Sequence, residues 1–221
     1  MELLISIIWI IGAGLLGFLI SGIFAGKLNL SRRIFLIPYI LISLTFVTFY
    51  FLLESINIIS LLIENWIWGI LAGVIVGLFL IKNVLSQPSS RKSKGKTFVV
   101  DLLWYGVAYG ITDALLLNIL PVLAIWISFS SIGWTSSLFG VIIVAIFGLL
   151  ASLFVTILYH IGYPEFRNSR LIFVLIGNTL ITLAFIIPAN PLGAFISHTV
   201  MHLAAVYRGP ETTIQLPPHY K

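Results

Sequence analysis

Long apolar runs separated by short polar breaks dominate the chain. Seven can be cut, at roughly 3–24, 34–53, 58–85, 98–126, 136–160, 171–187 and 192–207. None shows the strict alternation of a barrel strand, and each approaches the ~20 apolar residues that a spanning helix needs. Lipid offers a backbone N–H or C=O no partner, so such runs satisfy themselves as helices. The pattern predicts an all-α fold, a polytopic membrane protein built as a bundle of about seven transmembrane helices. Gly69, Gly73 and Gly77 recur at four-residue spacing in the third run, a ridge that lets another helix come close.

Charge adds an orientation. The chain has 12 Lys and Arg, and all fall on alternate connections. Lys27, Arg32 and Arg33 follow the first run, and Lys82, Arg91, Lys92, Lys94 and Lys96 the third. Arg167 and Arg170 follow the fifth, and Arg208 and Lys221 the seventh. The connections after the second, fourth and sixth runs hold none. Basic loops resist translocation, which predicts the N-terminus outside and the C-terminus in the cytoplasm. Trp9, Trp66, Trp68, Trp126 and Trp134 fall towards the outer ends of runs and Trp104 towards the inner side, as an interfacial aromatic belt requires.

Composition narrows the class further. The chain is 60% hydrophobic and 9% charged, whereas a soluble domain carries about a quarter charged residues. The net charge of +5 sits in loops beside helix ends, so no nucleic-acid partner is expected; the lipid bilayer is. Absence of cysteine excludes disulfides, thiolate metal sites and Cys nucleophiles. No positive charge precedes the first run, which therefore reads as a span and not a signal peptide. The expected organisation is one membrane domain over 1–221: three apolar spans in 1–85, a mobile basic cytoplasmic linker at 86–97, four spans carrying a polar pocket in 98–207, and a cytoplasmic tail at 208–221. The expected location is a prokaryotic cell membrane. No internal repeat supports an inverted-repeat transporter.

Four ionisable residues inside the runs need a reason, because each costs a few kcal/mol to insert. Asp113 lies near the middle of the fourth run and His160 at the inner end of the fifth. His198 and His202 lie in the seventh as H-T-V-M-H, one helix face with ~6 Å of rise between them. The four could line a cavity open to the cytoplasm. Two chemistries suit them. The histidine pair, with His160 or Asp113, suits Zn²⁺, although no Glu follows the first His as metalloproteases require. Alternatively an imidazole activates water while another stabilises an oxyanion. A purely structural cluster is the third choice, with the histidines bonded to Ser197, Thr199, Asn178 or Thr179. Tyr109, one turn before Asp113, is a candidate hydrogen-bond donor to it. Asp101, near the inner interface, needs only water or Lys96. Four histidines in all, counting His219, are too few for a di-iron desaturase.

The order acid, His, then HxxxH across successive late spans resembles the CAAX protease and bacteriocin-processing family of intramembrane endopeptidases. That family shows Glu-Glu-x-x-x-Arg, then Phe-x-x-x-His, then His-x-x-x-Asn or a similar polar residue. His198 and His202 match the third motif, and His160 the second, with Thr156 at its Phe position. Thr112 and Asp113 replace the Glu pair, and Leu117 occupies the Arg position. The resemblance covers roughly Tyr105 to Tyr207. It implies hydrolysis of a membrane-associated peptide or lipidated protein, without a redox cofactor. By resemblance Asp113 and His160 activate water, and His198 and His202 form the oxyanion hole. No cofactor is expected on this reading, with zinc as the exception the histidine pair allows. Two other functions fit the same residues: a non-catalytic assembly, immunity or partner-binding membrane protein, and a proton- or metal-coupled carrier.

Overall fold

The computed structural model describes residues 2–209, 211 and 213–217; His219 and Lys221 of the expected tail lie outside the described residues. Every regular element among them is helical: α1 (Leu3–Lys27), α2 (Arg32–Leu53), α3 (Ile58–Ile63), α4 (Trp66–Ser86), α5 (Lys96–Ser131), α6 (Leu138–Ile161), α7 (Leu171–Ile186) and α8 (Leu192–Arg208). Five of these, α1, α2, α4, α5 and α6, are long and apolar enough to cross a membrane. At ~1.5 Å per residue, α7 (16 residues) and α8 (17 residues) each reach only about 25 Å.

The molecule is apolar outside and polar within. Leu4, Leu41, Ile75, Leu78, Leu138 and Phe139 are exposed, while Ser43, Asp113, Asn118, Ser152, Thr182 and Ser197 are buried. That inversion suits a lipid surround, where an apolar surface costs nothing and polar groups need internal partners.

α5 is the most enclosed of the long helices and runs through the centre. It is α-helical only in part: Leu102–Ala108 and Ala114–Ile119 are π-helical turns on either side of Tyr109–Asp113. Pro121 helps explain the second. It has no N–H to give the carbonyl one α-turn back, that of Leu117. The Ser152 hydroxyl of α6 donates to this carbonyl instead, at 2.6 Å.

α8 is seated by small residues on both sides. A Cβ at Gly73 would lie 2.8 Å from Ile196 Cβ, and one at Gly77 2.7 Å from Val200 Cγ2. A Cβ at Gly110 of α5 would lie 2.8 Å from Thr199 Cα. The four-residue glycine ridge is therefore a packing surface, and Gly110 lets the histidine-bearing helix approach α5.

The third apolar run is not one helix. It breaks at Glu64 and Asn65, where Asn65 takes φ 54°. Asn190, in the turn before α8, explains the break: its Nδ2 donates to the carbonyls of Leu61, Leu62 and Glu64 at 2.5–3.1 Å, replacing helix bonds there.

The basic segments gather at one end of the bundle. Arg33 pairs with Asp101 at 2.7 Å, Arg32 Nε donates to the Pro217 carbonyl at 2.6 Å, and Arg208 Nε to the Gln87 carbonyl at 2.6 Å. Asp101 is thus held by Arg33, and also by Ser93 at 2.5 Å, where Lys96 or water was expected. The linker is tied to the tail: Ser90 N–H donates to the Arg208 carbonyl and Glu211 N–H to Ser90 Oγ.

Candidate functional site

Asp113, His198 and His202 meet in the interior. Their side chains belong to α5 and α8, and the residues are 2%, 4% and 2% exposed. Asp113 Oδ2 lies 3.4 Å from His202 Nε2 and 3.7 Å from His198 Nε2. One ligand atom from each of the three lies within 4.8 Å of the others, so the triad could hold a metal ion. Zn–N and Zn–O bonds of ~2.0–2.1 Å at tetrahedral angles put neighbouring ligands about 3.3–3.4 Å apart, close to both distances. The two imidazoles stack at 5.0 Å with planes 13° apart, and both Nε2 atoms face the same carboxylate oxygen.

The environment fixes what each group presents. Asn118 Nδ2 donates to Asn178 Oδ1 and Thr182 Oγ1, both at 2.8 Å. Its oxygen is therefore the atom facing His198 Nδ1, at 3.1 Å. An amide oxygen only accepts, so Nδ1 carries the proton and Nε2 presents a lone pair to the centre. The amide is itself held: Asn178 Nδ2 donates to Ser152 Oγ at 2.9 Å, and Ser152 donates to the freed Leu117 carbonyl. A histidine whose far nitrogen is fixed by an amide is the arrangement found behind metal ligands.

His202 differs. Among the described residues neither of its ring nitrogens makes a well-formed hydrogen bond, although the Gln215 backbone lies close enough to interact with the ring. Tyr109 packs over it at 4.6 Å. On the other carboxylate oxygen, Tyr39 of α2 donates to Asp113 Oδ1 at 2.5 Å. This donor comes from the N-terminal spans; Tyr109, the expected one, also lies within reach of the carboxylate and shares a hydrogen bond with Tyr159 at 3.0 Å.

His160 stands apart from the triad but lines the same cavity of about 800 Å³, together with all three of its members. Its Nδ1 donates to the Thr156 carbonyl at 2.8 Å, which leaves Nε2 as the acceptor nitrogen. The cavity walls are not confined to the last four spans: α4 contributes from Phe79 to Ser86, and the segment after α8 contributes Glu211 and Ile214 to Pro217.

Sequence reasoning missed Tyr39 and Asn118. Tyr39 has no signal in a run rich in aromatics. Asn118 had one: a mid-span amide, close to a proline, five residues after the mid-span acid. No protein-family model matches the chain, and neither a curated protein nor a solved structure does.

Proposed function

We propose that this chain is a metal-dependent intramembrane hydrolase, in which Asp113, His198 and His202 hold one divalent cation, zinc fitting the donor set best. The observation that carries the reading is His202: an imidazole nine-tenths buried, its Nε2 without a well-formed hydrogen bond among the described residues and turned to a carboxylate oxygen beside a second imidazole lone pair. Burying a polar group unpaired costs ~1–3 kcal/mol, and a bound cation removes that cost for Nε2. One carboxylate oxygen and two imidazole nitrogens leave a tetrahedral ion an open position, as catalytic zinc sites have.

The cation, when bound, polarises the scissile carbonyl and lowers the cost of forming hydroxide. The chain's own residues do the rest. Tyr39 fixes the carboxylate by its far oxygen, and Asn118 fixes His198. His160, with Nε2 free to accept, takes the proton from water as the water oxygen adds to the carbonyl carbon. It returns that proton to the leaving nitrogen or oxygen as the C–N or C–O bond breaks. On this reading His198 is a ligand and not an oxyanion donor, since its proton is committed to Asn118. The likeness to the CAAX-type endopeptidases then lies in placing an acid and several histidines beneath a membrane surface.

The topology belongs to the same proposal. Every helix but α3 crosses, with the N-terminus outside and the C-terminus in the cytoplasm of a prokaryotic cell. α7 and α8 are short, but Asn190 ties their shared turn to the α3–α4 break at one end, and Arg170 and Arg208 mark the other. The test is metal content and turnover on one preparation. Purified protein should carry one zinc per chain, and His202→Leu should carry none while still inserting. Hydrolysis of a membrane-dissolved ester or amide should vanish with the metal and return on reloading wild type. Full metal content in His202→Leu, or wild type that rejects zinc, would sink the reading.

A further inference from the structure

The triad lies in a cavity whose walls differ sharply from one side to the other. Towards the basic end the wall is made by the chain's own polar segments, with Ser86 and Glu211 both lining the cavity and exposed. The segment after α8 folds back under the bundle: Gln87 Nε2 donates to Gln215 Oε1 at 3.0 Å, Ile214 N–H to Gln87 Oε1 at 3.3 Å, and Arg32 Nε to the Pro217 carbonyl. Thr213 and Leu216 are buried there, and Gln215 lies on His202. Four hydrogen bonds to the linker and α2 hold this floor in place, counting Glu211 to Ser90.

Sideways the cavity meets lipid-facing surface. Its flanks are α4, with Phe79, Leu80 and Val84, and α7, with Phe173, Ile176 and Gly177. Phe79, Phe173 and Ile176 are each more than half exposed although they line it. A Cβ at Gly177 would meet nothing within 4 Å, so α7 presents a smooth hollow at this point. The two helices are held together at the far end through Asn190 and flank open space nearer the basic end. Asn83 and Arg170 stand at that rim, where a headgroup would lie.

We infer that the ligand of this cavity is a membrane amphiphile with a long alkyl chain, admitted from the bilayer between α4 and α7, its chain lying against Gly177 and its ester or amide brought to the triad. The nature of the cleaved bond rests on the hydrolase reading; the place of the chain does not. A lipid chain leaves one apolar surround for another, and it also holds its owner in the membrane.

The test uses the full chain, zinc-loaded, in lipid nanodiscs, with a C16 hydroxamate that carries a mid-chain diazirine. After irradiation, label should concentrate in residues 79–84 and 173–181 and be displaced by excess unlabelled C16 hydroxamate. Gly177→Trp should cut it about tenfold; Leu180→Trp serves the same purpose if the first variant fails to fold. Label spread evenly over the lipid-facing helices, or displacement by acetohydroxamate as readily as by the C16 compound, overturns the inference. A C16 methyl ester with the same diazirine separates the two readings. If it labels the same residues as strongly as the hydroxamate, the chain site stands and the metal fails; if neither probe favours these residues, the chain site fails whatever the metal does.

Discussion

Asn190 and His202 are both buried polar side chains near opposite ends of α8, and they are treated in opposite ways. Asn190 is saturated: three carbonyls accept from its amide nitrogen and Leu192 N–H donates to its oxygen at 2.8 Å. His202 makes no well-formed hydrogen bond among the described residues. Buried polar groups in native proteins are nearly always paired, so an orphan needs an explanation. The knot at Asn190 is built to hold helices together. The inner cluster leaves donor atoms free for something else, and local rules broken in this way mark function.

The contrast can be broken from either side. The largest effect is expected from His202→Leu: zinc affinity should fall by more than the ~100-fold that losing a ligand's outer partner costs. Thermal unfolding in detergent should meanwhile stay level or rise, because an unpaired polar group leaves the core. Asn190→Leu should do the reverse, lowering stability by ~1–3 kcal/mol through its abandoned carbonyls and leaving zinc affinity unchanged by calorimetry. Asn118→Leu belongs to both regions. It should weaken zinc ~10–100-fold by releasing His198 and also cost ~1–3 kcal/mol, since Asn178 and Thr182 lose a donor. The smallest change is Gly77→Ala. Its new methyl meets the movable end of Val200, so about 1 kcal/mol is expected, with zinc binding intact. If His202→Leu and Asn190→Leu instead had the same profile, the division into a knot and a site would be mistaken.

The seven runs were readable because lipid demands uninterrupted apolar length, and each run is helical in the structure. The break at Asn65 was not, because its cause lies 125 residues on, in the amide of Asn190. Asp113, His198 and His202 stood out as costly residues within apolar runs, and HxxxH put two of them on one face. Their facing Asp113 depends on the glycines of α4 and α5, which fix how close and at what rotation α8 lies. The expected partners of the histidines, Ser197 and Thr199 on the same helix or Asn178 and Thr179 on α7, are not the ones found; the partner of His198 is Asn118. No hydropathy pattern shows where a helix changes pitch, so the π-turns on either side of Asp113 stayed invisible.

Those π-turns make the site depend on chain length as well as residue identity. In an unbroken α-helix, Asp113 and Asn118 would point about 140° apart at 100° per residue. A π-turn closes its hydrogen bond at i+5, which brings residues five apart nearly into line, so the acid and the amide that orients His198 look towards the same histidine helix. Inserting one more apolar residue beside Leu115 would add about 100° of rotation between the acid and the amide. Every acid, amide and imidazole would still be present, yet Asn118 would turn away and His198 would lose its anchor. A comparison of relatives by residue identity alone would miss that loss; the count of residues between the acid and Pro121 would reveal it.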